Sequence, residues 1–303
     1  MGASVTEGLV DFRVPALPRV SQTWYKIIGD LKPGVRPLIA LHGGPGVNSA
    51  YLEILSDVTK GRPGPLIVYD QIGNGKSTHF PEKIGDTNFW TEGLFLGELN
   101  NLITKLNIEE YDLFGHSWGG MLGARHATLN PPGLKHLVLM SSPASMALWV
   151  QSVNGLRAKL PAEIRNVLDE HERNGTTDSP EYQEAVDFFY SRHLITINPI
   201  PDAIAEGFAT IASDPTVYLT MNGPNEFSIT GSLRNWTIIS DIPKIQVPTL
   251  VTNGAKDEAQ DIVVLPYVNK LPRVKWVKFF NSAHMAHYEE RAKFMKTVAA
   301  FLF

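Results

Sequence analysis

Short apolar runs alternate along this chain with longer amphipathic segments, and the first of the runs stop abruptly at glycine-rich loops. RPLIALHGGPG (36–46) and PLIVYDQIGNG (65–75) both end this way, and YDLFG (111–115), LKHLVLMSS (134–142), VPTLVTNG (247–254) and VKWVKFFNSAH (274–284) repeat the apolar pattern. These runs read as strands. Between them, TEGLFLGELNNLITKL (91–106) places Leu94, Phe95, Leu99, Leu102 and Leu106 at helical spacing, and RAKFMKTVAAFLF (291–303) reads as a closing helix. Strands separated by helices predict an α/β class with a mostly parallel central sheet wrapped by helices.

The strand rhythm stops between about residues 143 and 240. PAEIRNVLDEHE and EYQEAVDFFYSRHL are helical in pattern there, with NGTTDSP, INPIP and NGPNEF as breaks. Because strands then resume, the expectation is a core of residues 1–143 and 241–303 with a helical cap, 144–240, inserted into it. The chain has 303 residues, 43% of them hydrophobic and 19% charged, which is ample for such a core.

The formal net charge of −4 and the lack of a Lys/Arg run interleaved with aromatics argue against a nucleic-acid partner. With no cysteine, disulfides, thiolate catalysis and Cys-zinc sites are excluded. MGASVTEGLV has no basic segment leading into an apolar one, and no window approaches the roughly 18 apolar residues of a membrane span, so a cytoplasmic protein without membrane association is expected. MGASVT also fits an N-acylation pattern at Gly2, but no basic cluster follows to supply a second anchor, and an ordinary terminus is the reading.

The chemistry concentrates at YDLFGHSWGGML (111–122), where a strand pattern ends in a serine flanked by glycines two places away on each side. A serine on a tight strand-to-helix turn needs small neighbours because the backbone there crowds adjacent strands, and Gly115 and Gly119 meet that need. WGGMLGARHATLN continues as a helix ending at Pro131 and Pro132, which places Ser117 at a helix N-terminus with its hydroxyl exposed. A serine hydroxyl is a weak nucleophile that needs a base, and the base needs an acid to orient it.

In strand–turn–helix sites of this kind the partners follow in the order Ser, acid, His. His284, first after the strand VKWVKFF, is the expected base, with His287 a minor candidate. Asp257, on the loop after TLVTNG, is the expected acid, with Asp261 a less favoured substitute. The developing oxyanion needs preorganised donors. Gly44, central in LHGGPG, and Trp118, next after the serine, are expected to supply backbone N–H groups. Two other signals fail: DQIGNGKST lacks the first glycine of a phosphate loop, having Asp70 there, and the paired histidines of HMAH have no third metal ligand in evidence. No metal and no organic cofactor is expected.

HGGPG (42–46), DQIGNGKS (70–77), GHSWGGML (115–122), NGPNEF (222–227), VPTLVTNGAKDE (247–258) and NSAHMAHYEER (281–291) together resemble the proline iminopeptidases and related amino-acid amidases of the α/β-hydrolase fold. The resemblance implies a triad of Ser117, Asp257 and His284 with an oxyanion hole of Gly44 and Trp118. It further implies that Glu226 and Glu258 hold the substrate's free α-amino group, with Tyr218 as a supporting hydroxyl. His42 is expected to hold its loop by hydrogen bonding and not to act as a base. Two departures bear on substrate identity: Ile72 follows Asp70-Gln71 where the family often has a basic residue, and Gly254-Ala255-Lys256 precedes the acid.

The expected function is therefore a serine hydrolase that removes an N-terminal proline or other apolar residue from a small peptide or amino-acid amide through an acyl-enzyme. An esterase or lactonase indifferent to the amine is the alternative. A non-catalytic binding protein on the same fold is disfavoured by the intact Ser, Asp and His.

Overall fold

The computed structural model describes residues 4–14, 17–60 and 64–303; Gly2 lies outside them. Eight strands form one sheet: β1 (Val5–Phe12), β2 (Ser21–Ile28), β3 (Leu38–Leu41), β4 (Leu66–Tyr69), β5 (Tyr111–His116), β6 (Leu134–Met140), β7 (Thr249–Gly254) and β8 (Val274–Phe279), in the spatial order β1-β2-β4-β3-β5-β6-β7-β8. The pairs from β4 to β8 are all parallel, and only β2 runs against the rest. Helices α1 (Ser56–Thr59), α2 (Glu92–Lys105) and α3 (Trp118–Thr128) precede β6. Five more, α4 (Met146–Arg157), α5 (Ala162–Asn174), α6 (Pro180–His193), α7 (Asp202–Ser213) and α8 (Thr216–Met221), lie between β6 and β7. Then come α9 (Asp261–Lys270), α10 (Ala286–Glu289) and α11 (Arg291–Leu302).

The short apolar runs are strands because both sheet faces are covered. Alternate residues go to opposite faces: Ile39, Leu41, Ile67, Leu113, Leu137 and Val251 pack with Phe95, Leu99 and Leu122 of α2 and α3, whereas Leu38, Ala40, Leu66, Phe114, Val138 and Leu250 pack with Phe294, Val298 and Leu302 of α11. In α2, Phe95, Leu99 and Leu102 are fully buried and Leu94 and Leu106 half-buried, as the spacing predicts.

The N-terminal hairpin, β1 with β2, is an addition to the sequence reading. Its strands mix Glu7, Asp11 and Lys26 with apolar residues, and β1 is mostly exposed at the sheet edge, so they carry no buried-strand signature.

The chain runs from β3 outward to β4, then returns to β5 on the other side of β3 and continues outward through β6, β7 and β8. The strand order thus reverses between β3 and β5, and a crevice opens there at the carboxyl ends of the parallel strands. The loops after β3, β5, β6, β7 and β8 all emerge at this edge, with α6, α7 and α8 above them.

Candidate active site

Ser117 follows β5 directly and precedes α3. Its backbone has φ 54° and ψ −122°, a conformation that side-chain-bearing residues rarely adopt and that costs about 1–3 kcal/mol. The surroundings impose it: Ser117 N–H donates to Met140 O at 2.9 Å, and its own carbonyl accepts from Gly120 N–H at 2.9 Å. The flanking glycines are obligatory on steric grounds. A Cβ on Gly115 would stand 2.4 Å from Gly119 O, and one on Gly119 would stand 2.2 Å from Leu41 O.

Two loops bring the acid and the imidazole together from β7 and β8. His284 Nδ1 lies 2.7 Å from Asp257 Oδ1, with both residues buried. Asp257 accepts three further hydrogen bonds, from Ala259 N–H at 2.7 Å, Ser141 Oγ–H at 2.6 Å and Gly254 N–H at 3.2 Å. Four donors converge on one carboxylate and hold it oriented.

His287 does not take part in that pairing. It is fully buried beneath the site, 5.7 Å centroid to centroid from Tyr51, and burial together with the nearby His284 lowers its pKa to about 3. Asp261 instead pairs with Lys278 and Asn253.

On the other side of the serine, the loop after β3 presents Gly43 and Gly44. Gly43 N–H is taken by the Tyr51 hydroxyl at 2.7 Å, whereas Gly44 N–H has no partner among the described residues. Gly43 C=O and Gly44 N–H belong to one trans peptide unit and so point in opposite directions. His42 Nδ1–H donates to that carbonyl at 3.0 Å, and His42 Nε2 accepts from Gln71 N–H at 3.0 Å. Both ring nitrogens of His42 are thereby used to fix the plane that carries the Gly44 donor, and burial lowers its pKa, keeping it neutral. Trp118 N–H is the first of α3 and has no intrahelical acceptor; the Trp118 indole donates to Gln71 Oε1 at 2.9 Å, tying the two loops together.

A cavity of about 770 Å³ connects these groups, with Gly44, Ser117, Tyr218, Glu226, Glu258 and His284 all on its wall. Glu226, on the loop after α8, accepts from the Tyr218 hydroxyl at 2.8 Å. Glu258 Oε1 lies 3.8 Å from His284 Nδ1, and Glu258 Oε2 is buried without a hydrogen-bond partner. Burial pushes both carboxyls above the usual range; Glu226 and Asp257 raise Glu258 further, while the Tyr218 hydroxyl and His284 oppose the rise at Glu226. The remaining wall is largely apolar, with Val186, Leu194, Ile195, Ile204 and Phe208 from the helical segment between β6 and β7.

Ser117, Asp257, His284, Gly44, Trp118, Glu226, Glu258 and Tyr218 thus all lie at this edge. The sequence reading did not single out Ser141, which steadies Asp257, or Tyr51, which engages the β3 loop. The helical segment also reaches in through its backbone: His193 O accepts from Glu258 N–H and Leu194 O from His284 N–H, each at 3.2 Å.

Comparison with known proteins agrees with this fold. Residues 36–291 match the family model described as the alpha/beta hydrolase fold. The proline iminopeptidase of Heyndrickxia coagulans is 33% identical over 273 residues, which cover 90% of this chain and 92% of that one. Among solved structures, VinJ superposes with a TM-score of 0.91 at 44% identity, covering 97% of this chain and 98% of that one. The proline iminopeptidase of Mycobacterium smegmatis superposes with a TM-score of 0.88 at 40% identity, covering 97% of each. Taken with the fold and the residues at its strand ends, these similarities place the chain in the proline iminopeptidase family of α/β-hydrolases.

Proposed function

We propose that the protein is a serine aminopeptidase or amino-acid amidase that removes an N-terminal residue, proline or another apolar one, from a small peptide or amino-acid amide. The observation that carries this reading is the pair of carboxylates, half-buried Glu226 and fully buried Glu258, on the wall of the same cavity as Ser117 and His284. Two carboxyls raised by burial, with Glu226 raising Glu258 further and one Glu258 oxygen unpartnered, form a site whose unmet requirement is a cation with several N–H donors. A substrate ammonium supplies that, and a carboxylate pair beside the nucleophile admits only one residue between the free amine and the scissile bond. The names and identities of the relatives support the same class.

In the mechanism that follows, Glu226 and Glu258 anchor the ammonium and place the carbonyl carbon at Ser117 Oγ. Asp257 keeps the proton of His284 on Nδ1, so Nε2 offers a lone pair that takes the serine proton as the C–O bond forms. Gly44 and Trp118 N–H groups stabilise the oxyanion, each worth about 3 kcal/mol in such a site. The imidazolium returns its proton to the leaving amine as the C–N bond breaks, and water repeats the sequence to release the amino acid. Residues 144–240 act as the cap that shapes the chamber and holds Glu226.

The test is hydrolysis of matched fluorogenic amides, free-amine prolyl, alanyl and phenylalanyl substrates and their N-acetyl counterparts, together with a simple ester. Wild type should cleave the free amines. Ser117→Ala should lose roughly 10⁴-fold or more in turnover, and Glu226→Gln should impair amine-bearing substrates far more than the ester. Cleavage of N-acetylated substrates as fast as free ones would overturn the amine role and point to an esterase.

A further inference from the structure

Beneath the nucleophile, three hydrogen bonds join the loop after β3 to the loop after β8. Gly43 N–H donates to Tyr51 Oη at 2.7 Å, the Tyr51 hydroxyl and His116 Nδ1 are 2.8 Å apart, and His116 Nε2 and His284 O are 3.1 Å apart. The direction of each bond follows from one fact: a backbone carbonyl only accepts. His116 Nε2 therefore carries the ring proton and Nδ1 bears a lone pair, so the Tyr51 hydroxyl donates to it and uses its own oxygen to accept from Gly43. No alternative polarity satisfies all three contacts with a neutral imidazole. Burial, reinforced by the neighbouring His284 and His287, holds the His116 pKa well below the usual histidine range and so keeps the ring neutral.

We propose that Tyr51 and His116 are positioning residues that lock the oxyanion loop and the general-base loop in one register around Ser117. The inference rests on the proposed roles of Ser117, His284 and Gly44. β8 lies three strands beyond β5, so His284 returns to the serine on a loop of its own, and its position has to be fixed by contacts outside that loop. Its backbone is held at both polar groups, the N–H by Leu194 O and the carbonyl by His116. At the far end, Gly43 N–H is withheld from the substrate by Tyr51, and Gly43 C=O is fixed by His42, leaving the next amide, Gly44, aimed and unspent. His116 precedes the nucleophile in the chain, so one residue on β5 references the base and the oxyanion donor to the same strand end.

The experiment measures kcat and KM on a free-amine amide for wild type, Tyr51→Phe, His116→Gln, His116→Leu and Ser117→Ala, with fluorophosphonate labelling of Ser117 and thermal unfolding of each. Misplacement of reacting groups by a fraction of an ångström lowers the chemical step and leaves ground-state binding alone. Tyr51→Phe and His116→Leu should each lose about 10- to 100-fold in kcat with KM within about twofold of wild type. His116→Gln, which retains an N–H for the His284 carbonyl, should recover part of that loss. Retention of kcat within about twofold in Tyr51→Phe and His116→Leu would overturn the inference, as would kcat and KM shifting together in step with lost thermal stability. Failure of the underlying reading is recognised separately, by wild-type turnover in Ser117→Ala.

Discussion

Replacing Asp257 by asparagine removes one charge and leaves the outline of the side chain unchanged, so the effect is calculable from its four contacts. The carboxylate accepts from His284 and Ala259 on Oδ1 and from Ser141 and Gly254 on Oδ2. Asparagine has one oxygen, and its NH₂ must face one pair of donors. Toward Oδ1 it would meet a fixed backbone N–H at 2.7 Å; toward Oδ2 it meets a serine hydroxyl that rotates to accept and a Gly254 N–H at 3.2 Å. The amide nitrogen therefore turns to Ser141, and the oxygen keeps His284 in its working tautomer. What is lost is the counter-charge to the imidazolium, about 4 kcal/mol at 4 Å and an effective dielectric near 20. The retained neutral hydrogen bond offsets about 1 kcal/mol, leaving about 3 kcal/mol, or roughly 10²-fold in kcat. Single-turnover hydrolysis of a prolyl or alanyl fluorogenic amide measures it. A loss below tenfold would refute the counter-charge role, and a loss near 10⁴-fold, the signature of an inverted tautomer, would refute the orientation argument.

Two further outcomes depend on pH. Because the pKa values of Glu226 and Glu258 are raised, the pair must ionise to hold an ammonium; KM for free-amine substrates should fall as pH rises above the usual carboxylate range, while KM for a simple ester stays level, and parallel profiles would refute the ionic anchor. Glu98 is fully buried in α2, where it accepts from Thr23 Oγ–H at 2.6 Å and Ile72 N–H at 2.9 Å, and burial pushes its carboxyl from 4.5 up to about 8. A carboxyl raised in this way stabilises the fold fully below pH 4.5 and loses that contribution as pH climbs to about 8. Glu98→Gln should therefore gain in melting temperature relative to wild type across that window, by several degrees; a difference that is flat with pH would show that Glu98 does not titrate there.

The parts of the site legible in the sequence are those written in short-range pattern. Ser117 announces itself through Gly115 and Gly119, because their steric demand is local to one turn. Asp257 and His284 are marked by their place after β7 and β8, and Gly44 by the glycine run after β3. The hairpin β1–β2 was missed because edge strands have no need of continuous apolar sequence. α9 was not read because Pro266 interrupts its pattern, although the proline falls within an otherwise regular helix. Tyr51 and Ser141 remained silent for a different reason: each matters through a contact made across the sheet edge, with Gly43 and Asp257 respectively, and neither pairing has a sequence spacing that identifies it.

The two bonds from the end of α6 into the site have an evolutionary consequence. His193 and Leu194 hold Glu258 and His284 through main-chain carbonyls, and a main-chain group is inherited whatever side chain is attached. The residues of α6 and the following segment that face the chamber, such as Val186, Tyr190 and Ile195, are free to change size and polarity without loosening those two bonds. Substitutions at those positions would reshape the chamber while the main-chain bonds to Glu258 and His284 stay where they are.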